Sequence, residues 1–215
     1  MELYKLGSRG EMVKQIQKAL AGAGFGVICD GYYGQITEEA IKELQRKKGI
    51  VPDGVVGMKT LALLGISILK KSKRTIREII VHCTATPEGR DYTVEQIRRD
   101  HLKQGWADIG YHYVVYRDGS VHTGRNVDMI GAHCVGHNTY SIGVAYVGGV
   151  ENKPGVEYKN QKSKDTRTEQ QKAALLSLLL DLKKLYPHAI IVGHRDYEKG
   201  KDCPSFDAKY EYRRL

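Results

Sequence analysis

The chain has 215 residues, 41% hydrophobic and 27% charged, with a formal net charge of +9. That composition fits a globular protein of one or two domains, and no run approaches the roughly 20 apolar residues of a membrane-spanning helix. The positive balance favours an anionic polymer as partner, either nucleic acid or a bacterial envelope. The basic residues are not gathered into one dense run and none of the usual nucleic-acid-binding motifs is present, so charge alone does not choose between them.

The N-terminal stretch MELYKLGSRGEMVKQ is polar and lacks the apolar centre of a signal peptide, so the new chain is expected in the cytoplasm unless something else exports it. EMVKQIQKALAGAGF then reads as a helix, with Val13, Ile16, Gln17 and Leu20 at helical spacing and Gly22 or Gly24 to end it. Two segments repeat the pattern D-G-x-x-G-x-x-T: DGYYGQITEEAI (30–41) and DGVVGMKTLALL (53–64). The glycines predict tight turns with positive φ, and Thr37 and Thr60 fall where N-caps are expected. Residues 1–66 are therefore expected to form a small all-α unit of three helices. Residues 67–75, rich in Lys, Arg and Ser, are expected to be a linker.

Residues 76–215 have a different texture. REIIVHC (77–83) is a short, β-branched run expected to be a buried strand. TVEQIRRDHLKQG (93–105) predicts an amphipathic helix ended by Gly105. YHYVVYRDGSVHTGR (111–125) predicts a hairpin turning at Asp118–Gly119. SIGVAYVGG (141–149) predicts a strand. RTEQQKAALLSLLLDLKKLYP (167–187) predicts a long helix with a Thr168/Gln171 capping box, ended at Tyr186–Pro187. HAIIVGH (188–194) predicts a last strand. Strands alternating with helices indicate an α/β domain built on a mixed central β-sheet flanked by helices.

Both EIIVH (78–82) and AIIVGH (189–194) are apolar strands that end on a histidine. As sheet neighbours they bring His82 and His194 to the same edge. Cys203 lies nine residues beyond His194, in a polar loop that also holds Lys201. Two His and one Cys suit zinc and leave its fourth position open, the hallmark of a catalytic site. A structural site would need a fourth protein ligand, for which His101 and His112 are candidates. The four cysteines, Cys29, Cys83, Cys134 and Cys203, are too sparse for a disulfide scaffold and are expected as free thiols or metal ligands.

The segments LGSRGEMVKQIQKAL, GF, DGYYGQIT and DGVVGMKT resemble the three-helix peptidoglycan-binding domain. Four further segments, IIVHCTAT (79–86), GWADIGYHYVVYRDGSVHTGR (105–125), GAHCVGHNTYSIGVAYVGG (131–149) and IIVGHRDYEKGKDCPSFD (190–207), resemble the zinc-dependent type 2 N-acetylmuramoyl-L-alanine amidases. That family includes the small phage lysozyme-amidases and the animal peptidoglycan recognition proteins. The resemblance implies their fold and one Zn2+ per chain on His82, His194 and Cys203, with Tyr111 and Lys201 as the catalytic pair. It also implies His133 and Asn138 as substrate-binding residues. Tyr111 and His112 are adjacent on an expected strand and should face opposite sides, with Tyr111 the one that reaches the metal. Trp106 is expected to anchor the helix end. Where some members carry a Glu within S-I-G-V-E, this chain has Ala145.

The implied reaction is hydrolysis, by zinc-activated water, of the amide between N-acetylmuramic acid and L-alanine. The implied partner is bacterial peptidoglycan, with no nucleic acid and a monomer as the default state. Such an enzyme would wait in the cytoplasm and act on the wall after release or export, as a phage endolysin does. Other readings are a non-catalytic recognition protein, a cysteine peptidase using Cys203 or Cys83, and a regulator of a phage polymerase. Retention of Cys203 as a ligand favours catalysis over recognition alone.

Overall fold

The computed structural model describes residues 3–66 and 69–215; residues 1 and 2, and residues 67 and 68 at the start of the expected linker, lie outside the described residues. The chain divides into two compact units, Met1–Ile68 and Leu69–Leu215.

The first unit contains α1 (Glu11–Gly22), α2 (Gln35–Lys47) and α3 (Met58–Leu63). Val13, Ile16 and Leu20 of α1 pack on Ile41 and Leu44 of α2, with Tyr33, Val56 and Leu61 closing the core. The sequence repeat is also a repeat of hydrogen bonds. The buried Gln17 amide donates to Asp30 Oδ1 and the Tyr32 carbonyl, both at 2.9 Å, and its Oε1 accepts from the Gly31 N–H at 2.8 Å. Gln45 does the same with Asp53 Oδ1 (2.8 Å), the Val55 carbonyl (3.1 Å) and the Gly54 N–H (2.9 Å). Each Asp-Gly turn is thus pinned to a helix by one fully paired amide, as a buried polar group requires.

The expected threonine caps do not form. Both helices begin earlier than the threonines, with Gly34 and Gly57 as N-caps in extended conformation. Thr37 and Thr60 point inward, and their hydroxyls accept from the Gln17 and Gln45 amides at 3.3 Å. The buried glutamine amide offers each hydroxyl an inward partner that a sequence search for caps does not see.

The second unit is a five-stranded sheet in the order β4-β3-β5-β1-β7. Its strands are β1 (Glu78–Cys83), β3 (Tyr113–Val115), β4 (Val121–Thr123), β5 (Ser141–Tyr146) and β7 (Ile190–Gly193). Only the β3–β4 hairpin is antiparallel; β3, β5, β1 and β7 run parallel. A second, two-stranded sheet pairs β2 (Thr86–Pro87) with β6 (Gly149–Val150). The long helix α5 (Glu169–Leu185) begins with the Thr168/Gln171 capping box and packs Leu175, Leu178, Leu179 and Leu182 on one sheet face, against Ile79, Val81, Ile142 and Val144. Helix α4 (Val94–Lys103), capped by Thr93 and Gln96, packs Val94 and Ile97 on Ile109, Val114 and Val147. A short α6 (Ala208–Glu211) follows the last loop.

Residues 69–75, expected within a linker, belong to this unit. The Ser72 N–H donates to the Tyr186 hydroxyl at 2.6 Å and its Oγ donates to the Val127 carbonyl at 2.7 Å. Arg74 spends its guanidinium on the carbonyls of Val127, Thr139 and Ser141. Of the basic residues that suggest a linker, Arg74 satisfies backbone acceptors and Lys70 pairs with Asp128 at 2.6 Å.

Candidate metal and catalytic centre

Strand β1 alternates its side chains between the two sheet faces. Ile79, Val81 and Cys83 join the α5 core, which sends Ile80 and His82 to the other face. Parallel pairing places Ile80 opposite Val192 and Val81 opposite Gly193, so the next pair in register is His82 beside His194. Their ring centroids are 4.8 Å apart. β7 stops at Gly193, and the loop after it returns alongside the free end of β1, where the Cys83 N–H donates to Cys203 Sγ at 3.3 Å. One ligand atom from each of His82, His194 and Cys203 lies within 4.8 Å of the others. His82 Nδ1 is 3.7 Å from Cys203 Sγ. The edge of a tetrahedron built on zinc bonds to N and S is about 3.3–3.8 Å, so this nitrogen and sulfur stand as zinc needs them.

Both histidines have partners for a ring nitrogen. His82 Nε2 is 3.1 Å from His133 Nδ1, and His194 Nε2 is 3.0 Å from Glu198 Oε2. Burial, then the neighbouring imidazoles, hold His82 well below the usual histidine range, so it is a neutral potential ligand. The Cys83 thiol beside it, together with burial, pushes the Cys203 thiol up. The Cys203 sulfur in turn lowers the Cys83 thiol to about 7, so the two sulfurs share one negative charge, with the Cys83 N–H a donor to the Cys203 end of the pair.

Tyr111 and Lys201 approach from separate segments. The Tyr111 ring lies 5.2 Å from the His82 ring, and burial followed by the two thiols raises its phenol, which stays a donor throughout the neutral range. Lys201 Nζ lies 3.6 Å from Glu198 Oε1, so Glu198 links this ammonium to His194. Glu198 is the neighbour of the candidate ligands that sequence reasoning misses. For Glu198 the available signal is its place four residues after His194. A hollow of about 130 Å³ beside Tyr111 is lined by Thr84, Tyr92, Ile97, Asp100, His101 and Gln104.

The strand expected to contain Tyr111 and His112 begins after them, at Tyr113, so strict alternation does not govern the two residues. His112 is fully buried. Its Nδ1 accepts from the Gly143 N–H and its Nε2 faces the Met129 carbonyl. His101 Nδ1 accepts from the Gly110 N–H, and its ring packs 4.3 Å from Trp106, which anchors the end of α4. Neither histidine belongs to the group that could hold a metal. His133 and Asn138, expected to bind substrate, have internal partners. His133 is 6% exposed and stands behind His82, while Asn138 Oδ1 accepts from the N–H groups of His133 and Cys134 at 2.8 and 3.0 Å. Ala145 pairs in register with His82. Tyr146 faces the other side, its hydroxyl donating to the Pro204 carbonyl. All four cysteines are free.

Comparison with known proteins agrees with this geometry. Residues 72–206 match the family model described as N-acetylmuramoyl-L-alanine amidase, and residues 9–64 match the one described as "Putative peptidoglycan binding domain". The endolysin of Klebsiella phage KP32 is 43% identical over 132 residues, covering 61% of this chain and 82% of that protein. The endolysin of Escherichia phage T7 is 39% identical over 139 residues, covering 65% of this chain and 87% of that one. Among solved structures, the N-acetylmuramoyl-L-alanine amidase LysC from Clostridium intestinale URNW superposes with a TM-score of 0.50 at 26% identity, covering 64% of this chain and 82% of that one. With the family match spanning the sheet, both histidine strands and the loop that carries Cys203, the chain belongs to the N-acetylmuramoyl-L-alanine amidase family.

Proposed function

We propose that this chain is an endolysin-type peptidoglycan hydrolase that cleaves the amide between N-acetylmuramic acid and L-alanine. One Zn2+ would be held by His82, His194 and Cys203, and the first unit would bind the wall. The observation that carries the reading is the convergence of two strand-end histidines and one loop cysteine on one point, with no fourth protein ligand among the described residues. The chemistry supplied by zinc in such an open set is polarisation of the amide carbonyl and activation of water near neutral pH.

The chain's own residues supply the rest. Tyr111, protonated throughout the neutral range, donates a hydrogen bond to the oxygen of the attacked amide. The Lys201 ammonium places a positive charge beside the same oxygen, and Glu198 restrains its reach. The hollow under Tyr111 receives the part of the substrate next to the cleaved bond. With Ala145 opposite His82, no carboxylate stands at that position to take up a proton, and oxyanion stabilisation carries more of the barrier.

The test is zinc content and clearing of purified peptidoglycan, with wild type and Cys203→Ser in parallel. The wild type should hold about one zinc per chain, as three protein ligands and an open position require. It should also clear the wall and expose new L-alanine amino ends, and Cys203→Ser should lose metal and clearing together. A wild type that binds wall, holds no zinc and cuts nothing is a recognition protein, and the proposal fails.

A further inference from the structure

We propose that His133 is a positioning residue: it holds His82 in the tautomer that presents a bare Nδ1 to the metal, through a buried relay ending on Ser141. The inference rests on the reading of His82 as a zinc ligand. His82 has two ring nitrogens, and Nδ1 is the one that faces Cys203 Sγ. A nitrogen can bind a cation only if its proton is elsewhere, so the His82 proton must sit on Nε2. That atom points at His133 Nδ1, 3.1 Å away. His133 Nδ1 must then accept, which puts the His133 proton on Nε2, facing Ser141 Oγ at 3.3 Å. The three groups form one directed chain, from His82 Nε2–H to His133 Nδ1 and from His133 Nε2–H to Ser141 Oγ. All three residues are buried, at 1%, 6% and 0% exposure, so water does not compete for these bonds.

The surroundings of His133 are built for its ring. A Cβ on Gly143 would meet the ring at 2.5 Å, and a Cβ on Gly131 would meet it at the same distance. Two glycines from separate segments therefore clear the space. The backbone of His133 is fixed by its own N–H, which donates to Asn138 Oδ1. Ser141 is fixed in turn, since its carbonyl accepts from Arg74 at 3.1 Å. A group that served substrate would need an open side; His133 has none and has polar partners on both nitrogens.

Three variants of the full chain separate this role from a substrate contact. His133→Phe keeps an aromatic ring, a larger one, and removes both nitrogens; zinc affinity, measured by chelator competition, should fall about 10–100-fold, the usual effect of removing such a partner. His133→Asn restores an acceptor near the position of Nδ1 and should recover most of that affinity. Ser141→Ala should shift affinity in the same direction by less. In the metal-free wild type, long-range 1H–15N correlation should show His82 protonated on Nε2. A His133→Phe variant that binds zinc like wild type but shows a raised KM overturns the proposal in favour of substrate contact. A wild-type His82 protonated on Nδ1 overturns it independently, and decides the matter if His133→Phe fails to fold. A wild type without zinc affinity counts against the ligand set itself, whereas normal wild-type affinity unaffected by His133→Phe counts against this inference alone.

Discussion

Acid should weaken the second unit through His112, and the structure gives the size of the effect. His112 is fully buried, accepts from the Gly143 N–H at 2.9 Å on Nδ1 and faces the Met129 carbonyl at 3.1 Å with Nε2. Burial pushes its pKa from 6.5 down to about 4, against the opposite pull of the Met129 carbonyl, with Arg74 and Arg125 adding to the decrease. The unfolded chain therefore takes up the proton first. The stabilising contribution is complete above pH ~6.5 and is lost as the pH falls toward the folded value. Between pH 7 and pH 5 the linkage relation gives a loss of about 1.8 kcal/mol from this one group. His112→Asn provides the comparison, because an amide oxygen can still accept from Gly143 and does not titrate. The variant should be less stable than wild type at pH 7, and the gap should shrink by about 1.8 kcal/mol at pH 5. Guanidinium unfolding followed by the fluorescence of Trp106, the one tryptophan, reads the second unit directly. A gap that stays constant within about 0.3 kcal/mol across this range refutes the reasoning, since it means His112 titrates alike in both states.

Lys201→Met should lower kcat about 100–1,000-fold with zinc affinity unchanged, as expected for loss of a donor to the oxyanion and not of a ligand. Gln17→Leu strands the Gly31 N–H and should destabilise the first unit by about 2–3 kcal/mol in a thermal melt. Gly143→Ala drives a methyl against the His133 ring and should cost about 1–3 kcal/mol of stability in the second unit, read from the Trp106 transition. Dialysis against a strong chelator should abolish wall clearing, and added zinc should restore it. A cysteine peptidase would be untouched by that treatment.

Features that depend on a two-residue period and on sheet neighbours were legible without coordinates. EIIVH and AIIVGH each end on a histidine, and parallel pairing in matched register puts both rings on one face. The capping box at Thr168 and the Asp118–Gly119 turn are local and equally readable. Partners set by loop paths were not. Nothing in the spacing of Gly-Ala-His shows that the His133 ring lies behind His82, because its position depends on how residues 131–141 fold back over Gly143. Glu198 touches His194 only because the chain turns into a 3-10 helix directly after β7. Ser72 and Arg74 dock on carbonyls that belong to segments more than fifty residues away.

The same division explains the economy of the site. In the proposed zinc set, two ligands come from strand ends, where register fixes them with the rigidity of the sheet, and the third comes from a loop held by the Cys83 N–H. At Ala145, beside His82 on β5, the sheet offers a methyl group. On the proposed mechanism the proton donors come from outside the sheet: Tyr111 just ahead of β3 and Lys201 in the loop before Cys203. Those two donors lie on different segments, so replacing either should leave the metal set intact while slowing turnover. Loss of zinc on removing Tyr111 or Lys201 would show instead that the donors and the ligands form one inseparable unit.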